Sequence, residues 1–309
     1  LASPLSVALM HTFADAHSVG VAETFVVLGV LYFALMLFGV FTIRVPAEGW
    51  KPKGYIAPSG KAQTSGTQNV SATTAVKTPQ FWLLFCTLCL NITAGIGVLG
   101  QASVMIQELF SETSVGADAA VSAAAAAGFV GLLSLFNMGG RFFWSSISDK
   151  LGRKNVYTVF FVLGAILYCL IPSLGESGSK ALFIIGFCVI ISMYGGGFAA
   201  IPAYLRDLFG TYQVGAIHGR ILLAWSLAAV LGPVLVNYIR QAQINAGAPA
   251  AQAYSITMYI MAGLLVLGLL ANALVKQVHA KHHLHTIPEA AHSGNPEDET
   301  ALSDAYLAA

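Results

Sequence analysis

Long stretches without a formal charge dominate this sequence, and they limit the fold more than any motif does. A helix needs about 20 mainly apolar residues to cross a hydrocarbon layer about 30 Å thick. About seven runs meet that length: Val21 to Ile43, Phe81 to Ile106, Ala119 to Ser145, Val156 to Leu174, Ala181 to Tyr204, Gly215 to Tyr238 and Tyr254 to Val275. Composition agrees, since only 9% of residues are charged where a soluble domain carries roughly 25%. The expected fold class is therefore an all-α integral membrane protein whose first partner is the lipid bilayer. With a formal net charge of +1, the chain has no overall basic field to attract nucleic acid, and no such partner is expected.

The chain opens on Leu1, and LASPLSVALM reads as the tail of a further span, not as a signal peptide, which starts with a charged region. An N-terminally truncated fragment is the expectation. Charge then sorts the connections. Arg44, Lys51, Lys53, Lys61, Lys77, Lys150, Arg153, Lys154, Arg206, Arg220, Lys276 and Lys281 fall on one side of the layer, and Lys180 and Arg240 on the other. Positive residues stay cytoplasmic, so the first side is inside, and Asp15, Glu108, Glu112, Asp118 and Glu176 are outside. Residues 44–80 mix Pro, Gly, Ser, Thr and Lys without apolar periodicity and read as a flexible cytoplasmic linker. The Asn69-Val70-Ser71 sequon lies in it, on the side where no glycan is added. Cys86, Cys89, Cys169 and Cys188 sit in apolar runs and read as packing residues. The run His279, His282, His283 and His285, followed by Glu297, Asp298, Glu299 and Asp304, fits a solvated tail; no metal or cofactor is expected.

Residues 149–154, DKLGRK, join two spans so closely that the chain must reverse almost at once, which Gly152 permits. Asp149 is expected near the start of the following helix, opposite its positive dipole end. Arg141 lies eight residues before Asp149, so at 1.5 Å per residue it stands about 12 Å above the turn, near mid-layer. Ser134, Asn137 and Arg141 form one polar stripe at spacings of three and four, which Ser148 extends. An arginine facing lipid there costs at least about 2.5 kcal/mol, so embedded arginines face a cavity or an anion. Two readings follow: Arg141 binds an anionic substrate, or it makes an internal ion pair, for which Glu23, near the outer end of its span, is the nearest acidic residue.

Other spans supply a lining. Asn91 and Thr93, with Gly95, Gly97 and Gly100, place polar atoms and bending points in one span. Tyr194, followed by Gly195, Gly196 and Gly197, falls near mid-layer, as do Trp225 and Ser226, too deep for the interfacial aromatic belt. The spans hold no paired Asp, Ser–His or HExxH arrangement, so an intramembrane enzyme is not expected. The last span holds no lysine for a retinal Schiff base.

Taken together, GWKPKGY, TPQFWLLF…LNITAGIG, NMGGRFFW…SDKLGRK, IPAYLRDLFG and LLAWSLAAVLGPVL resemble the C-terminal half of the oxalate/formate antiporter branch of the major facilitator superfamily. The DKLGRK turn is similar to that superfamily's signature loop, with Ser145 where a glycine is usual. The resemblance implies a fold of twelve helices in two bundles, of which this chain holds about seven. Residues 1–43 would be the tail of helix 5 and helix 6, 44–80 the linker, 81–276 the C-terminal six-helix bundle and 277–309 a disordered cytoplasmic tail; the missing N-terminal bundle is an implied partner. In that family an arginine on helix 8 and a lysine on helix 11 hold a dicarboxylate. Arg141 matches the first, and Trp225 occupies the position of the second, which opens the site to monocarboxylates such as formate, pyruvate or lactate. Aromatic residues of helix 10 line the family's site, which implicates Tyr194.

The expected substrate-binding set is Arg141, Asn137, Tyr194, Trp225 and Asn91, and the expected conformational-switch loop is Asp149, Gly152 and Arg153. The expected function is transport of small carboxylates by alternating access, most simply antiport, in a bacterial inner membrane. No mid-span Asp or Glu is visible to carry a proton, but proton-coupled symport and a passive anion channel stay open as alternatives.

Overall fold

The computed structural model describes residues 2–15, 18–44, 50, 69–112, 116, 120–249 and 252–284. Every regular element among them is helical: α1 (Ala2–Phe13), α2 (Val21–Thr42), α3 (Ala72–Val76), α4 (Pro79–Leu109), α5 (Ala123–Leu151), α6 (Arg153–Glu176), α7 (Lys180–Phe209), α8 (Val214–Ile221), α9 (Leu223–Asn245) and α10 (Ser255–Leu274), then a 3₁₀ turn at Ala280–His282. Taking α8 and α9 as one span, seven helices of 20 to 32 residues are long and apolar enough to cross a membrane. In hydrocarbon each backbone amide must be satisfied within its own segment, and helices do this. Two of the spans start on side-chain caps: the Thr78 hydroxyl accepts from the Phe81 amide ahead of Pro79, and the Ser122 hydroxyl accepts from the Ala125 amide.

Packing is closest between α5 and α7, with α4 against α9 and α10, and α6 against α7 and α10; α1 lies along α5. The α5–α7 seam is a backbone approach. A Cβ added to Gly140 would stand 2.7 Å from the Ser192 Cα, and one added to Gly195 would strike the Asn137 carbonyl. Without side chains there, van der Waals packing draws the two helices together, as small residues do in membrane proteins. By contrast α2 is exposed almost all round, with Phe25 and Phe38 about 70% and 68% open.

At one end of the bundle, Gly152 alone separates α5 from α6, with φ 85°. Asp149 lies in the last turn of α5, not at the start of α6. The next helix begins so soon that Asp149 meets the Arg153 side chain, at 2.5 Å, instead of a helix dipole. Lys154 donates to the Ala273 and Val275 carbonyls, each at 2.7 Å, capping the end of α10.

The segment before α4 is more ordered than its composition suggests. Asn69 is 2% exposed, and its Oδ1 accepts from the Thr211 and Tyr212 amides at 3.0 and 3.1 Å. Its carbonyl accepts from the Leu284 amide at 2.7 Å, and the Val70 amide donates to the Phe209 carbonyl at 2.9 Å. So α3 interrupts the expected linker, and Pro79 and Gln80 already belong to α4. The first residues of the expected tail, 277–284, pack on the bundle through buried Val278 and the Asn69 bond. The sequon asparagine is buried, with its side-chain oxygen taken by two backbone amides. Residues 45–49, 51–68 and 285–309, which carry Lys51, Lys53, Lys61, His285 and the acidic run, lie outside the described residues, as does Asp118.

At the opposite end Arg240 of α9 pairs with Glu108 of α4, and the Tyr254 hydroxyl donates to the same carboxylate at 2.9 Å. Burial first, then the Glu108 carboxylate, push the Tyr254 phenol above its ordinary value.

Candidate functional site

Arg141 stands one helical turn after Asn137 on α5, half-buried, with its guanidinium carbon 5.0 Å from the centre of the Phe198 ring. Its Nε is buried and has no hydrogen-bond acceptor. Among the described residues no carboxylate pairs with it: Glu108 is held by Arg240, and Asp149 and Asp207 by Arg153, all at the two ends of the bundle. The internal ion pair left open by the sequence is therefore absent from the described residues; Glu23 is exposed at the start of α2.

The wall facing Arg141 is aromatic. Tyr194 and Phe198 lie one turn apart on α7, and Trp225 of α9 meets both, with ring centres 5.8 Å from Tyr194 and 4.7 Å from Phe198. Tyr194 is within electrostatic reach of Arg141. Trp225 is placed by a discontinuity. The span breaks at Leu222, whose carbonyl accepts from the Trp225 amide at 2.9 Å in a tightened turn. Phe198 is the residue that sequence reasoning missed; its signal was the spacing of four from Tyr194, which puts both rings on one face of the helix.

The two asparagines differ. Asn137 is half-buried beside Arg141, and its side chain has no hydrogen-bond partner among the described residues. Asn91 is 5% exposed with an unpaired Nδ2, and a Cβ on Gly197 would collide with that nitrogen. It lines a void with room for about one water, shared with Gly95, Tyr168, Met193 and Tyr194 but not with Arg141 or Trp225. The structure thus gathers Arg141, Asn137, Tyr194, Trp225 and the unforeseen Phe198, and sets Asn91 behind Tyr194. Thr93 is satisfied within its own helix by the Cys89 carbonyl at 2.7 Å, and Ser226 is exposed.

The residues of the expected switch loop lie in a separate cluster. Arg153, only 11% exposed, holds Asp149 at 2.5 Å, Asp207 at 3.5 Å and the Ser148 hydroxyl at 2.5 Å. One guanidinium thereby ties the feet of α5, α6 and α7. Asp207 joins this cluster only through the tertiary fold.

Seven helices long and apolar enough to cross a membrane define a multi-pass helical membrane protein, and a half-buried arginine without a described carboxylate partner is the kind of charge that marks substrate or ion pathways in such proteins. The sequence pattern of the Major Facilitator Superfamily matches residues 1–233 and 130–302, and the chain belongs to that superfamily. It is 30% identical over 213 residues to the oxalate:formate antiporter of Oxalobacter formigenes, covering 69% of this chain and 46% of that protein. It is 23% identical over 219 residues to the uncharacterized MFS-type transporter YhjX of Escherichia coli (strain K12), covering 69% and 48%. A shorter match, 30% over 95 residues, is to the glucose transporter GlcP of Staphylococcus epidermidis, covering 30% and 20%. The chain spans about half the length of the first two relatives. The oxalate/formate-antiporter-like character read from the sequence motifs stands with these matches.

Proposed function

We propose that the protein transports small carboxylates by alternating access, as an antiporter, with Arg141 as the anion-binding group. The observation that carries this reading is the Arg141 guanidinium, its Nε buried without an acceptor and no described carboxylate neutralising it. A bound carboxylate supplies two charge-assisted hydrogen bonds and offsets the cost of the buried charge. Closure around the site is then easiest when it is loaded, which couples flux in one direction to flux in the other. Asn137 adds a hydrogen-bond group beside the guanidinium, and Tyr194, Phe198 and Trp225 bound the site with apolar faces. One cation suits a monocarboxylate such as formate, pyruvate or lactate as well as oxalate. The end that carries Gly152 and most of the basic residues is assigned to the cytoplasm, in a bacterial inner membrane, and an N-terminal bundle is the partner that completes the pathway.

The test uses the complete protein in proteoliposomes and a panel of radiolabelled mono- and dicarboxylates. The expected result is uptake that accelerates when a carboxylate is loaded inside. Uptake indifferent to internal anion replaces the exchanger with a channel, and uptake driven by a pH gradient alone replaces it with a proton symporter. No uptake of any carboxylate overturns the reading.

A further inference from the structure

Tyr194 supplies a face of the proposed site, and its ring lies directly against the backbone of α4. A Cβ built on Gly95 would stand 2.7 Å from the Tyr194 Cγ and 2.9 Å from its Cβ, and would overlap its Cδ2. Tyr194 is 6% exposed, and its hydroxyl makes no hydrogen bond to another described residue. Its ring is therefore located by packing, on the bare Gly95 backbone and on Trp225 at 5.8 Å, with Ile190, Met193 and Tyr168 around the same small void. The void beside it holds about one water and cannot receive a displaced ring. Gly100, on the same helix, meets nothing within 4 Å.

We infer that Gly95 is a positioning and specificity-determining residue: its missing side chain sets the spacing between the Tyr194 and Trp225 rings, and so the shape of the aromatic wall that faces Arg141. This rests on the carboxylate reading above. A methyl at residue 95 pushes the Tyr194 ring out of its place, and a changed spacing excludes larger carboxylates before small ones.

The test compares Gly95→Ala, Gly100→Ala, Tyr194→Ala and the double variant Gly95→Ala/Tyr194→Ala in the complete protein. Gly95→Ala is expected to raise the transport KM for lactate roughly tenfold or more, with a smaller rise for formate, the scale of one methyl in a tight pocket. In the Tyr194→Ala background the same change is expected to have almost no effect, because neighbouring groups act non-additively. Gly100→Ala is expected to leave KM unchanged. The Trp225 fluorescence, isolated as the difference between proteins with and without Trp225→Phe, is expected to shift in Gly95→Ala. That readout needs no transport, so it decides the positioning role even if no carboxylate is carried. An equal KM penalty in both Tyr194 backgrounds, or an unmoved Trp225 emission, overturns the inference. If Gly95→Ala does not fold, recovery of folded protein in the Tyr194→Ala background supports the contact, and failure to recover overturns it.

Discussion

The Arg153 guanidinium reaches Asp207 at the foot of α7, at 3.5 Å, while holding Asp149 at the foot of α5. Because the two carboxylates are 68% and 38% exposed, each pair contributes little to stability, at most about 1 kcal/mol. The cluster ties three helix ends together near the membrane surface, where a transporter must open and close. Asp207→Asn is therefore expected to change the transport rate several-fold while moving KM by less than about twofold and the melting temperature only slightly. An altered KM at constant rate would place Asp207 in binding instead.

Replacing the buried charge should separate binding from folding. Arg141→Gln is expected to abolish carboxylate transport while insertion and melting temperature stay close to the wild-type level, since the substitution removes a charge that no described carboxylate neutralises. Saturating carboxylate, at about a hundred times its Kd, should stabilise the wild type by about 2.7 kcal/mol and leave the variant unmoved. Thermal unfolding in detergent with and without carboxylate reads both effects.

Phe198 holds the guanidinium through its ring face, an interaction of about 0.5–2 kcal/mol. Phe198→Leu keeps most of the apolar bulk and removes that face. It is expected to weaken carboxylate affinity by roughly twofold to thirtyfold, measured by quenching of Trp225 emission on titration. Unchanged affinity would show that the ring only fills space.

The Tyr254 phenol is pushed above its ordinary value by burial and then by Glu108. A raised folded-state pKa favours the folded protein fully below the unfolded value of about 10. The contribution itself is lost as pH rises through the still higher folded value. Glu108→Gln removes the carboxylate's share, so phenolate absorbance in the variant is expected to appear at lower pH than in the wild type. Tyr254→Phe should eliminate that absorbance change.

Asn69→Ala leaves the Thr211 and Tyr212 amides without their acceptor. The expected loss is about 1 kcal/mol per hydrogen bond, localised at the Gly152 end of the bundle. Hydrogen exchange should quicken at those two amides, with less change at Leu284, whose acceptor is the backbone carbonyl that alanine keeps, and little at Arg240 or Tyr254.

The spans were legible in the sequence because uncharged length is a demand of the bilayer itself: all seven runs fall in helices that start within four residues of the expected positions, though three run five to seven residues past their expected C-terminal ends and one is broken at Leu222. Arg141 was legible for the same reason, as a charge with no ordinary explanation. What stayed hidden depends on contacts across the fold. Phe198 is one phenylalanine among 18, and only Trp225 and Arg141, from two other helices, distinguish it. The break at Leu222 has neither proline nor glycine beside it. Asp207 gains its Arg153 partner only where α6 packs beside α7. Asn69 reads as an unused sequon until the loop after α7 closes on it.

The single residue between α5 and α6 leaves no slack. When the helix carrying Arg141 tilts, α6 must swing with it, and Lys154 transmits that swing to the last carbonyls of α10. The interior charge is in this way geared to the rim of the bundle, and an α10 locked in place, by a cross-link or a bound antibody fragment, would stall the centre without touching it.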